Sequence, residues 1–140
     1  MDAGTDDRFL TWLPGPMWRG LAGLILATTA AAQPPADTLP ASVTKATIAE
    51  GKKIFGGIGL CLACHGTDAK GGLGPDLTDA KWLHGSGTFL EIVALVKSGT
   101  DLANSKTGQI MPPMGGASLS DEQLRAVSAY VWTVSRKPAK

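Results

Sequence analysis

Cys61-Leu62-Ala63-Cys64-His65 holds both cysteines of this 140-residue chain and one of its two histidines. Cys-x-x-Cys-His is the attachment pattern of haem c. The spacing has a mechanical reason: two cysteines three apart on a helical turn can both add to the vinyl groups on one edge of a porphyrin. The next residue, His65, is thereby brought beneath the iron as its fifth ligand. Other uses of these residues fit less well. A thioredoxin-like redox pair or a structural disulfide suits an exported protein, but the βαβ pattern of the redox fold is absent. Zinc held by Cys61, Cys64, His65 and His84 would require ligation by adjacent residues, against the usual spacing.

Composition narrows the rest. Apolar residues make up 44% of the chain and charged residues 18%, which excludes a disordered acidic tail and a coiled coil. A net charge of +1 supplies no electrostatic reason to bind nucleic acid. Two cysteines are too few for the disulfide framework of a small secreted domain. Eighteen glycines and nine prolines demand much loop. A chain this short and loop-rich struggles to build a core from side chains alone, and a buried macrocycle would complete one.

The N-terminal part reads as an export segment. The uncharged run Gly20–Ala32 follows Arg19 and ends in Ala30-Ala31-Ala32. It is shorter than the roughly 20 residues a membrane-spanning helix needs, and it has the length and cleavage pattern of a signal peptide. Residues 1–32 are therefore expected to be a signal peptide cleaved after Ala32. Asp2, Asp6 and Asp7 are foreign to such a segment, so Met17 is a candidate true start. Residues 33–43 read as a flexible proline-rich leader and 44–140 as the domain. A bacterial periplasm is the expected destination, with membrane attachment only if the N-terminal segment is retained.

Three helices stand out, separated by glycine-rich loops. Thr47-Ile48-Ala49-Glu50 fits a capping box, followed by Ile48, Gly51 and Phe55 on one face and Gly56-Gly57 as the stop. Thr88-Phe89-Leu90-Glu91 is a second box, with Phe89, Ile92, Val93 and Val96 at helical spacing before Gly99. Ser120-Asp121-Glu122-Gln123 is a third, and Leu124, Val127, Tyr130, Val131 and Val134 trace one apolar stripe behind it. No alternating run long enough for a strand remains. The expected class is all-α with large loops around a haem.

A haem iron held by one histidine is closed by a second ligand or left open for chemistry. Ile110-Met111-Pro112-Pro113-Met114-Gly115-Gly116 offers two thioethers in a stretch that cannot be helical. Methionines ordinarily fill cores, but here the prolines suit a rigid loop presenting a side chain. Met111 is favoured as the sixth ligand, with Met114 as the alternative. His84, in Trp82-Leu83-His84-Gly85, is read as a solvated or haem-edge residue. His65 is expected to donate its second ring N–H to a carbonyl, which Gly74-Pro75-Asp76-Leu77 is placed to provide.

Taken together these motifs resemble the class I c-type cytochromes, over about residues 44–137. Gly51-x-x-x-Phe55 ahead of Cys61-x-x-Cys64-His65-Gly66 is similar to that family's first helix, whose glycine permits close crossing of the last helix. Val127 and Tyr130 match the helix packed there. The resemblance implies that the Pro75 carbonyl accepts from His65, that Leu77 lies against the ring, and that Met111, directly before Pro112, binds iron. Leu77-Thr78-Asp79 and Trp82-Leu83 are similar to haem domains of terminal-oxidase subunits and dehydrogenase-linked cytochromes.

Thioether ligation raises the reduction potential and favours a one-electron carrier over an oxygen-activating site. The expected function is therefore one-electron transfer by a single covalent haem c in a periplasmic carrier, docking briefly with donor and acceptor redox proteins. Lys52, Lys53, Lys70 and Lys106 are read as solvated rather than as a docking ring. A dedicated cytochrome subunit of a periplasmic dehydrogenase or terminal oxidase is the alternative. An open-site haem enzyme or gas sensor would require that neither methionine bind.

Overall fold

A computed structural model describes residues 38–136 of the chain. The expected signal peptide and residues 33–37 of the expected leader lie outside the described residues. The domain is all-α. Its elements run α1 (Lys45–Gly56), α2 (Leu62–His65), α3 (Phe89–Ser98), a 3₁₀ turn (Pro113–Gly116) and α4 (Asp121–Val134). Among the described residues the sole β pairing is an isolated antiparallel bridge between Thr100 and Met111. No helix of the described residues is long and apolar enough to cross a membrane.

Each long helix starts where a side chain satisfies its free N–H groups. Thr88 and Ser120 cap α3 and α4 as their sequences indicate, with Glu91 and Gln123 bonding back to the cap residues' own N–H groups. The first helix begins one turn earlier than expected. Its N-cap is Thr44, whose hydroxyl accepts from Thr47 N–H at 3.2 Å while the Thr47 hydroxyl accepts from Thr44 N–H at 3.2 Å. A threonine thus takes the role a glutamate usually plays, and Thr47 is the third helical residue rather than the cap. Glu50 instead pairs with Lys53 at 3.2 Å on the exposed face.

The core forms where α1 and α4 cross. Gly51 sits at the crossing: a Cβ there would overlap the carbonyl oxygen of Ala126 and lie 3.0 Å from Tyr130 Cβ. The absence of a side chain lets the backbones approach and brings Ile54 and Phe55 onto Val127 and Tyr130, all buried. Phe55 and Tyr130 meet edge to face, 5.3 Å between ring centroids. Helix α3 adds Phe89, Ile92 and Val96. Full burial of each such side chain is worth roughly 1.5–3 kcal/mol.

The connections are long and carry little core of their own. They are tied at a few points, among them Arg136, whose guanidinium donates to the Gly87 carbonyl at 2.9 Å and stacks on Trp132 at 4.1 Å.

Candidate haem crevice

The three helices leave between them a cavity of about 360 Å³, within the roughly 300–1,000 Å³ usual for cofactor sites. Phe55, Ile92, Val96, Val127 and Val131 supply apolar lining from α1, α3 and α4. The lining also includes Cys61, Cys64, His65, Pro75, Leu77 and Met111, every residue that the sequence pointed to for this site except the alternative Met114.

Both cysteines are free thiols, half-buried. Gly57 closes α1, and Gly59 N–H donates to Ile54 O at 2.8 Å, turning the chain sharply into α2. His65 N–H donates to Cys61 O at 2.9 Å, so Cys61 to His65 form one helical turn and both sulfurs share its crevice side. Cys61 Sγ donates to Gly59 O at 3.2 Å. Burial pushes the Cys61 thiol above its ordinary pKa, favouring its neutral form.

His65 is buried at 8% exposure. Its Nδ1 lies 2.9 Å from the Pro75 carbonyl. A carbonyl can only accept, so Nδ1 carries the proton and Nε2 keeps its lone pair for a metal. The loop that supplies this carbonyl is itself fastened: Gly74 N–H donates to Cys64 O at 2.9 Å and Leu77 N–H to Ala69 O at 2.8 Å. Gly74 lies flat against the imidazole, where a Cβ would stand 3.0 Å from its Cε1. The ring is thus held by a hydrogen bond on one edge and backbone packing beside it.

Met111 enters from the far side of the sequence. Its N–H donates to Thr100 O at 2.9 Å and its carbonyl accepts from Thr100 N–H at 2.8 Å. Met114 sits inside the 3₁₀ turn with φ 53° and is not part of the crevice lining. His84 does line it, as do Lys81, Ser105, Thr107 and Gln109. Two features escaped the sequence: the Thr100–Met111 bridge, which has no period-two pattern to announce it, and the polar lining from residues 105–109, which reads as plain loop.

The donor set suits a haem c. One histidine and one methionine line a single, largely apolar cavity beside two cysteines spaced for two vinyl groups. Among the described residues no group of three or more His, Cys, Asp or Glu side chains is placed to hold a bare metal ion.

This architecture is that of the class I c-type cytochromes. Cytochrome cL from the marine methylotroph Methylophaga aminisulfidivorans superposes with a TM-score of 0.50 at 22% identity, over 64% of this chain and 56% of that one. The chain belongs to the family described as cytochrome c oxidase, cbb3-type, subunit III, which matches residues 46–131. Haem c is the cofactor that membership implies. Relatives include the cbb3-type cytochrome c oxidase subunit CcoP of Rubrivivax gelatinosus, 38% identical over 92 residues. The subunit FixP of Sinorhizobium medicae is 37% identical over 83 residues. The matches cover 65% and 57% of this chain, but only 27% and 28% of those relatives' lengths.

Proposed function

We propose that this chain carries single electrons on one covalently held haem c, as the dedicated cytochrome component of a terminal oxidase of the cbb3 type. The observation that carries the haem assignment is the pairing, in one apolar crevice, of a His65 whose Nδ1–H is spent on Pro75 with Met111. The oxidase assignment rests on the relatives, and favours a committed subunit over a free carrier.

Bound here, haem c supplies a one-electron Fe(III)/Fe(II) couple. The chain's residues do the rest. Cys61 and Cys64 would hold the group through two thioether bonds, each sulfur bonding one vinyl carbon while its hydrogen passes to the other. His65 and Met111 would be the chain's two ligands to the iron, Met114 standing outside the crevice lining. The Pro75 bond makes the imidazole a better donor and fixes its plane. Leu77, Val127 and Val131 exclude water, which keeps the charge change in a low-dielectric site and favours the reduced form. Lys81, His84 and Gln109 in the lining would be available to the macrocycle's carboxylates. Leu60, Leu73, Leu83 and Ile110 line the crevice and are also exposed, so its mouth is rimmed by apolar side chains. Lys52, Lys53, Lys70 and Lys106 do not line it and remain a solvated surface. The export signal expected at residues 1–32 supports a periplasmic setting for this chemistry.

The test is purification of the full chain, tagged at its C-terminus, from its own organism grown at low oxygen. A subunit brings the haem–copper catalytic subunit with it, and its reduced haem is reoxidised by oxygen within the complex. Recovery alone, with no oxygen-driven reoxidation until a separate oxidase is added, would assign it as a free carrier.

A further inference from the structure

We infer that Gly99 is a positioning residue for Met111: the missing side chain at the end of α3 sets where the methionine backbone lies, and thereby the strength of the iron–sulfur bond. This rests on the assignment of Met111 as the sixth ligand.

Met111 ends a loop, residues 101–110, in which every residue but Ser105 is exposed. Such a loop has no packing of its own to decide where it finishes. The position is imposed from outside. Thr100 exchanges both backbone hydrogen bonds with Met111, at 2.8 and 2.9 Å. Thr100 in turn directly follows Gly99, the C-cap of a helix anchored in the core by Phe89, Ile92 and Val96.

Gly99 has φ 67°, and a Cβ there would overlap the Met111 carbonyl oxygen. It would also stand 2.7 Å from Pro113 N and 2.8 Å from Pro112 C. These neighbours are all backbone, two of them in consecutive prolines, so no rotamer change relieves the collision. The segment is confined from another direction as well: a Cβ on Gly115 would lie 2.8 Å from Gly59 O, in the turn before Cys61. Residues 111–115 are thus clamped between the end of α3 and the turn that bears the first cysteine. A methyl group at Gly99 can be admitted only by shifting Met111 and its neighbours.

The control lies in the same loop. Gly108 has φ 74°, but a Cβ there meets nothing within 4 Å. Gly108→Ala therefore places a side chain at a positive φ in the same loop without pushing on Met111. Gly99→Asn keeps the same Cβ on a side chain that can hydrogen-bond to neighbouring backbone, at a conformation (φ 67°, ψ −165°) that favours glycine.

The experiment titrates ferric holoprotein with imidazole, which competes with the methionine sulfur, and follows the loss of the thioether charge-transfer absorption. Gly99→Ala and Gly99→Asn should bind imidazole on the order of tenfold more tightly than the parent, the size of effect usual when a ligand's supporting contact is lost. Gly108→Ala should bind as the parent does, and Met111→Ala should lack the absorption from the start. Should Gly99→Ala not accumulate, Gly99→Asn carries the test. If the Gly99 variants match Gly108→Ala while Met111→Ala has lost the absorption, the positioning role is overturned and the ligand assignment stands. If Met111→Ala keeps the absorption, the ligand assignment fails and the inference with it.

Discussion

Replacing Gly51 by alanine places one methyl group where α1 crosses α4. Its carbon would stand 2.5 Å from the Ala126 carbonyl carbon and 3.0 Å from Tyr130 Cβ, against an optimum of about 3.5–4.0 Å between carbon atoms. The helices must therefore separate by about 1 Å at the crossing. That loosens the packing of Ile54 and Phe55 on Val127 and Tyr130. Overpacking of this kind costs about 1–3 kcal/mol, and the upper end applies because the obstacle is a helix backbone that cannot rotate away. Alanine returns about 1 kcal/mol through its better helix propensity. The net loss is about 2 kcal/mol, which lowers the melting temperature of a domain this size by about 8–16 °C. Thermal unfolding of the holoprotein, followed by far-ultraviolet circular dichroism, measures it. A Gly51→Ala protein as stable as the parent would refute the close crossing and the account of why glycine stands there.

Four further outcomes follow from the same geometry. Met111→Ala should lower the reduction potential and open the iron to carbon monoxide, whereas Met114→Ala should do neither; potentiometric titration decides, and the reverse pattern would move the ligand to Met114. Replacing Cys61 and Cys64 together by serine should abolish covalent haem, seen as loss of haem-stained protein on a denaturing gel; stain that persists would contradict attachment at these sulfurs. The Ser86 hydroxyl and the Thr88 and Ser86 N–H groups hold the Glu91 carboxyl at about 2 instead of its usual 4.5. Because the folded state favours the ionised form, its stabilisation is complete above about pH 4.5 and is lost as the pH falls toward 2. Glu91→Gln should flatten the dependence of unfolding on pH across that window, and an unchanged slope would argue against the cap. Arg136→Ala removes the bond to Gly87 and the stacking on Trp132. It should cost about 1–2 kcal/mol by chemical denaturation, and no measurable loss would make that contact incidental.

The fold was legible where one short stretch carries its own cause. The caps at Thr88 and Ser120, the stripe from Leu124 to Val134 and the Cys61–His65 turn each depend on residues within one or two helical turns. Thr47-x-x-Glu50 misled because it matches the capping pattern, while the working pair, Thr44 and Thr47, satisfies the same two N–H groups with two hydroxyls. In the site, His65 and Met111 line one cavity, and the sequence pointed to both because a metal ligand must be a particular atom type next to a particular backbone. Their supports were less legible. Spacing pointed to the segment 74–77, but the choice of the Pro75 carbonyl within it came through resemblance, since any backbone carbonyl there could have served. The hold of Gly99 on Met111 was hidden, because a helix-stopping glycine looks the same whether or not another strand of chain passes over it. Arg136 and Gly87 meet across 49 residues, a pairing that no local pattern encodes.

A haem closed on both faces by this chain's own side chains is the central claim. The most direct check is the absorption spectrum of the full protein, made in bacteria able to mature c-type cytochromes and recorded oxidised and then reduced under carbon monoxide. Low-spin spectra in both states, a thioether charge-transfer absorption in the ferric form and no carbon monoxide adduct are the expected result. A high-spin ferric spectrum with rapid adduct formation would show an open iron and contradict the electron-carrying site drawn here.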